Sequence, residues 1–302
     1  MVCYLSIHAI MNQFSISDIE TLSGIKAHTL RIWEQRYNFL TPARKESRHR
    51  IYSNEDLKSI LRISYLYHKG LKISKIAALS EEEIRKRSLQ PEGHQPDFEI
   101  YINRLTEASI DLNQEHFEEI IDQVISHTGY ESAVLKVFFP LLNKIGLLWM
   151  VDSVTPAQEH FASAIILKKM LAAVQTVPRV KYVAGQPRVL MFTPESELHE
   201  MPMLFMHYQL RKHGVSVIQA GKNSSLTVIR NFVEANQCTH LYFHLVTNLI
   251  HSPLEQYLLA LASVFPSHQI YFSGVASAST HFPSNVHFLR NQQAVADFVF
   301  KL

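Results

Sequence analysis

The sequence predicts a multidomain fold in three parts: an all-α winged helix-turn-helix unit, a four-helix bundle, and a flavodoxin-like α/β doubly wound parallel sheet. Three observations carry this. Two short amphipathic segments around Gly24 are followed by a basic stretch reaching Tyr52; an apolar period of helical spacing runs from Phe98 to Val177; beyond Pro187, short apolar runs alternate with helical stretches. The domains that follow are 11–88, 98–177 and 187–302, with Pro- and Gly-bearing linkers at 90–97 and 177–186.

At 302 residues and 47% apolar side chains, the chain has material for two or three cores. Cys3 and Cys238 are the only cysteines, which excludes a disulfide framework and a thiolate zinc site and fits a reducing cytoplasm. The formal charge is only +2 but unevenly spread: through Gln90 there are 15 Lys and Arg against 9 Asp and Glu, and afterwards 14 against 18. One end suits a polyanion and the other does not. No apolar run is long enough to cross a bilayer, and the opening MVCYLSIHAIM lacks the basic flank of a secretion signal, so no membrane partner is expected.

In the first part, Ser17 and Glu20 have the spacing of a capping box, so a helix is expected to start there with Ile19 and Leu22 on its apolar face. Gly24 breaks it, and a second helix from about Ala27 to Tyr37 buries Leu30 and Trp33. Between Lys26 and Arg50, seven Lys and Arg stand against two Glu, and Pro42 to Tyr52 reads as a basic hairpin. A recognition helix in a major groove with a wing along phosphates needs this arrangement. On charge alone, a solvated basic face is equally open. Next, Ser53 and Asp56 cap a helix carrying Leu57, Ile60, Leu61, Ile63 and Leu66; Ile73 to Leu79 gives a short helix, and Ser80 with Glu83 caps another.

This stretch resembles the winged-helix DNA-binding domain of MerR-type regulators. The matching residues are Ile16 to Gly24, Thr29-Leu30-Arg31-Ile32-Trp33-Glu34, Arg50 and Tyr52, and Ser53-x-Glu55-Asp56-Leu57. The resemblance implies binding to double-stranded operator DNA, with Thr29, Arg31 and Arg36 near bases or phosphates and Arg48, Arg50 and Tyr52 on the DNA backbone from the wing. Lys26 departs from the small polar cap usual at that point. Met11 begins a more family-like start, so residues 1–10 read as a disordered extra or the product of an upstream start codon.

In the middle part, one helix carries Ile100, Ile102, Leu105 and Ile110, and a second carries Phe117, Ile120, Ile121, Val124 and Ile125 up to Gly129. A third runs from Val134 to Trp149 and is expected to kink at Pro140, whose ring removes a hydrogen bond. Thr155-Pro156 with Gln158 opens a fourth. In the last part, RVLMFTP, VSVIQAG, THLYFHLV and HQIYFSG are short apolar runs separated by helical stretches at 199–213, 225–236 and 252–263, with VHFL a fifth strand before a final helix from Gln292 to Phe300. Strands buried on both faces read this way, and such sheets bind ligands at their carboxyl ends.

The loop after the first of these strands is Pro194-Glu195-Ser196-Glu197-Leu198-His199-Glu200-Met201-Pro202. An acid two positions before a histidine can hold one ring nitrogen and leave the other for a metal, although a loop histidine is commonly just solvated. With a helical bundle before it, this loop resembles the cobalamin-binding module, whose motif is Asp-x-His-x-x-Gly; here it is Glu197-x-His199-x-x-Pro202. Trp149, followed ten residues later by Glu159-His160, resembles the signature of MerR-type cobalamin photoreceptor repressors. The resemblance implies His199 as lower cobalt ligand (the metal-binding residue), with Trp149, Glu159, His160, Glu197 and Gly274 at the cobalamin. The departures are Pro202 for glycine, Ser273-Gly274 for the paired glycines that make room for the nucleotide tail, His244 for a small serine, and Met150 for a second histidine.

The function implied is a cytoplasmic, sequence-specific transcription regulator, a homo-oligomer (dimer or tetramer), whose cobalamin, held between bundle and α/β domain, selects the oligomeric state. The alternative is a C-terminal half that has lost its cofactor and serves as an oligomerisation or protein-interaction module. No second histidine of a zinc-protease helix, Gly-rich phosphate loop or nucleophile elbow is present, and no substrate domain remains, so an enzyme is not expected.

Overall fold

The first helix, α1 (Ile16–Ser23), begins where Ser15 and Asp18 cap each other: the Asp18 N–H donates to the serine hydroxyl and the Ser15 N–H to the carboxylate. The capping box is therefore Ser15 with Asp18, not Ser17 with Glu20. Glu20 is freed for a different task at the start of α2 (Ala27–Tyr37): its Oε2 accepts the Ala27 N–H at 2.9 Å and its Oε1 pairs with Lys26 at 2.9 Å. A long-range carboxylate thus replaces the small polar cap that Lys26 cannot provide. Between the helices Gly24 takes a left-handed φ of 70°, the conformation that ends α1.

The computed structural model describes residues 14–37, 39, 43–44, 50–89, 97–150, 156–247, 253–276 and 281–302, which divide into two compact units at Ile166/Leu167. In the first unit, β1 (Ala43–Arg44) pairs antiparallel with β2 (Arg50–Ile51), and Phe14 bridges to Tyr52. The capping box of Ser53 and Asp56 opens α3 (Asn54–His68), followed by α4 (Ile73–Ile76) and α5 (Glu81–Leu89), the latter preceded by Ser80 bonded to Glu83. One core gathers Phe14, Ile19, Leu30, Trp33, Tyr52, Leu57 and Leu61, and it also takes in Ile100 and Ile110 from the next helix.

That helix is α6 (Phe98–Ile110), capped by Asp97; residues 90–96 of the expected linker lie outside the described residues. Three ion pairs join α6 and its cap to α3: Lys58 with Asp111 at 2.5 Å, Arg62 with Glu107 at 2.5 Å, and Lys69 with Asp97 at 2.6 Å. Next come α7 (Gln114–Thr128), ended by Gly129, then α8 (Tyr130–Ala133) and α9 (Phe139–Met150), then α10 (Pro156–Thr176). Between α8 and α9 the chain winds as a π-helix over Val134–Phe138, just before Pro140. The expected effect of Pro140 is therefore met by a wide turn, in which the Phe139 N–H reaches back to Val134 rather than to the residue four before it. The expected Thr155 cap lies outside the described residues, and Gln158 donates to the Ile110 carbonyl at 3.0 Å.

The second unit is a five-stranded parallel sheet: β3 (Arg188–Pro194), β4 (Ser216–Ser224), β5 (His240–Leu245), β6 (Gln269–Gly274) and β7 (Val286–Leu289), in the order β4-β3-β5-β6-β7. Four helices connect or follow these strands: α11 (Met201–Lys212), α12 (Leu226–Asn236), α13 (Leu254–Val264) and α14 (Gln292–Lys301). The chain steps one way from β3 to β4 and the other way to β5, so the switch point lies between β3 and β5. One face packs Phe192, Phe243, Phe272, Leu258 and Leu261; the other packs Met191, Met206, Tyr242 and Phe298.

Candidate functional site

Helix α2 buries Leu30 and Trp33 and turns His28, Arg31, Ile32, Gln35 and Arg36 to solvent. Those spacings make one stripe of a helix, with two cations, an amide and an imidazole along it. Neither Arg31 nor Arg36 forms an ion pair among the described residues, while Thr29 is half-buried beside His28. On the opposite side of α2, the largely buried Glu34 accepts Arg50 Nε at 2.8 Å and the Tyr52 hydroxyl. Burial, then the carboxylate beside it, pushes the Tyr52 phenol well above its ordinary range.

This placement does not fit the expectation that Tyr52 meets the DNA backbone: its ring is fully buried and its hydroxyl is committed to Glu34. Arg50 is likewise held by Glu34, though partly exposed. Arg48 lies outside the described residues, as does most of the expected hairpin.

In the second unit the candidate residues lie at the carboxyl end of β3. Ser196, at a left-handed φ of 74°, turns the loop, and Glu197 is fully buried behind it. The two oxygens of Glu197 have separate partners. Oε1 accepts the His199 N–H at 2.9 Å and its Nδ1 at 2.6 Å; Oε2 accepts the Val246 and Thr247 N–H groups at 2.8 and 3.0 Å, just past β5. Burial works to raise this carboxyl, but the backbone donors of Thr247, His199 and Val246 and the imidazole outweigh it and hold Glu197 below the usual carboxylate range.

The His199 side chain is 52% exposed. Nδ1 is taken up by Glu197, which leaves Nε2 as the ring nitrogen that a single transition-metal ion could take. Leu198, Val246 and Val275, which follow β3, β5 and β6, are exposed at 66%, 40% and 44%. An imidazole donor among exposed apolar side chains fits the underside of a flat macrocyclic metal complex. Pro202 is accounted for by the fold, since it occupies the first turn of α11, where no N–H is required.

Gly274 is a different case. A Cβ there would stand 1.9 Å from the Leu245 carbonyl oxygen at a φ of 99°, so glycine is required by the neighbouring strand itself. Glu159 and His160 face each other at 3.6 Å on α10 in the first unit, His160 77% exposed; the Trp149 side chain lies outside the described residues. The structure thus joins Glu197 to His199 within the second unit. The ties of Glu197 to residues 246 and 247 escaped sequence reasoning, because backbone donors leave no mark in side-chain identity.

Residues 14–83 match the MerR HTH family regulatory protein model, and residues 101–173 match the B12 binding domain model. Residues 14–83 are therefore similar to MerR-type helix-turn-helix domains, and residues 101–173 to B12-binding domains. It is 26% identical over 275 residues to the HTH-type transcriptional repressor CarH of Myxococcus xanthus, covering 89% of this chain and 90% of that protein. To the repressor CarA of the same organism it is 28% identical over 217 residues, covering 71% and 70%. The fold of the monomethylamine corrinoid protein of Methanosarcina barkeri is similar, with a TM-score of 0.53 at 12% identity over 67% of this chain and 97% of that one. The curated relatives matched are transcriptional regulators, in keeping with the reading of a non-enzyme. Among the described residues no helix is long and apolar enough to cross a membrane.

Proposed function

We propose that this MerR-type protein is a corrinoid-responsive transcription regulator: α2 enters the major groove of operator DNA, and the sheet edge at His199 holds a corrinoid of the cobalamin class. The observation that carries the sensing half is the buried Glu197 carboxylate holding His199 by Nδ1 and leaving Nε2 free. A bound corrinoid would supply a cobalt ion that takes a nitrogen donor, and His199 is the residue that would provide one. Leu198, Val246 and Val275 would lie against the ring, and Glu197 fixes the imidazole without touching the metal.

On the DNA side, Arg31, Arg36 and Thr29 are the groups placed to meet bases and phosphates. The ribbon of β1 and β2 serves as the wing, with Arg48 on phosphates, while Arg50 and Tyr52 position the ribbon through Glu34. The working division is 11–88 for DNA, 98–177 for a four-helix bundle bearing Trp149, Glu159 and His160, and 187–302 for the cofactor. A cytoplasmic dimer or tetramer is proposed because one such module makes too few contacts, and paired half-sites multiply them.

The test is DNA binding by the full chain with and without a corrinoid; an affinity that the corrinoid shifts, and that His199→Ala no longer lets it shift, supports the reading. A second reading, an assembly module that no longer holds a cofactor, is favoured by the close packing behind the sheet edge. Absence of any corrinoid absorbance on the purified chain after incubation would select it.

A further inference from the structure

We infer that this sheet edge accepts the corrin ring but not an appended nucleotide base, so that the ligand class it takes is a base-free corrinoid of the cobinamide type. The inference rests on the reading that His199 ligates cobalt. In cobalamin, a nucleotide loop ending in a benzimidazole base hangs from the ring on its lower face. A histidine that takes that face displaces the base, which then lies on the protein side of the ring. A slot the size of an indole ring must therefore be present behind the ligating residue.

The structure fills every described route for such a slot. Between β3 and β5, the crevice at the switch point is bridged by Glu197, whose carboxylate is bonded to Val246 and Thr247 as well as to His199. Between β5 and β6, a Cβ on Gly274 would stand 1.9 Å from the Leu245 carbonyl oxygen, to which Val275 donates at 2.9 Å, so the strands are in direct contact there. On one face of the sheet, Ser273 Oγ is bonded to the Tyr242 hydroxyl at 2.6 Å and to His244 Nδ1 at 2.7 Å, a closed polar chain linking the ends of β5 and β6. Burial pulls the His244 imidazole down to about 4, so it stays neutral there.

On the other face, aromatic rings occupy the space. Phe192 stacks on Phe243 at 5.5 Å, Phe243 on Phe272 at 5.2 Å, and Phe272 on Phe288 at 4.8 Å, with Tyr257 edge-on to Phe243. Phe192, Phe243 and Phe272 are at most 1% exposed. Admitting a base on this side would require breaking that stack, and on the opposite side the Tyr242–Ser273–His244 chain; interiors packed this closely do not yield a ring-sized space without loss. The exposed apolar rim of Leu198, Val246 and Val275, by contrast, leaves the top of the edge open to a flat ring.

The experiment is an absorbance titration of the full chain, in dim light, with diaquacobinamide and with hydroxocobalamin. It is run on the wild type, on His199→Ala, and on two opened variants, His244→Ser/Ser273→Gly and Phe243→Ala. We expect diaquacobinamide to bind the wild type at least about tenfold more tightly than hydroxocobalamin, a difference of about 1.4 kcal/mol. Its spectral change should be lost in His199→Ala, and the preference should narrow in whichever opened variant remains folded by its thermal transition. If both opened variants unfold, the wild-type ratio decides alone. Hydroxocobalamin binding as tightly as diaquacobinamide, or more tightly, overturns the inference while leaving the corrinoid reading intact. Failure of both to bind overturns the corrinoid reading, and the inference with it.

Discussion

Arg62 and Glu107 form a two-pronged ion pair between α3 and α6: Arg62 Nε donates to Oε1 at 3.0 Å and a terminal nitrogen donates to Oε2 at 2.5 Å. Arg62 lies on α3, within the segment matched by the MerR model, and Glu107 on α6, within the segment matched by the B12 binding domain model; both side chains are about nine-tenths buried. One turn earlier on α3, Lys58 meets Asp111, the residue that caps the end of α6, so the helices are stitched antiparallel. Burial alone would lower the Lys58 amine, but Asp111 and Glu55 outweigh it and leave it above its ordinary value.

Removing one member of the Arg62–Glu107 pair leaves a buried charge alone. Arg62→Leu is therefore expected to cost about 3 kcal/mol in urea unfolding, and Arg62→Leu/Glu107→Leu to recover most of it. Equal losses in the single and double variants would show that the pair contributes nothing as a pair.

Tyr52→Phe separates a packing role from a DNA contact. It strips Glu34 of one donor, so stability is expected to fall by about 1–3 kcal/mol while the salt dependence of DNA binding stays as it was. A slope smaller by about one would place Tyr52 on phosphate after all.

Arg31→Ala is expected to weaken binding to the protein's own promoter DNA by about 1–3 kcal/mol with less effect on random duplex, as a base-reading side chain requires. Equal losses on the two DNAs, measured by fluorescence anisotropy, would assign Arg31 to the phosphates.

Much of this was legible in the residues because the signals were local. Helix α2 falls on Ala27–Tyr37 and β7 on Val286–Leu289, where the apolar spacing put them, and the Ser53–Asp56 box is in place. The failures share a cause. Ser17 and Glu20 have the right spacing for a box, yet Ser15 won the cap and Glu20 reached seven residues ahead to Ala27. Tyr52 looked like a surface aromatic among cations until Phe14 paired with it and Glu34 took its hydroxyl. Gly274 reads in the sequence as a cobalamin contact, and the structure adds a separate demand for glycine there, the Leu245 carbonyl 1.9 Å from where a Cβ would stand. In each case a partner distant in sequence decided the outcome.

His207, on α11, has a buried Nδ1 without a hydrogen-bond partner among the described residues, and burial followed by Arg211 pulls its imidazole from 6.5 down to about 4. Its folded value is depressed, so the unfolded chain binds the extra proton first as pH falls. The stability of the neutral form is complete above about pH 6.5 and is lost toward pH 4, at up to about 1.4 kcal/mol per unit. His207→Leu should be neutral to stabilising at neutral pH and should flatten the decline of unfolding free energy across that window. An unchanged decline would mean that other groups govern it.

The most direct test joins the two ends of the molecule. Fluorescence anisotropy of a labelled duplex from the protein's own promoter is measured with the wild type and with His199→Ala, each with and without diaquacobinamide. The wild-type affinity should change by about tenfold or more on adding the corrinoid, while His199→Ala should bind DNA with the same affinity in both conditions. A wild-type affinity that the corrinoid leaves untouched, or a response that survives in His199→Ala, would contradict the account.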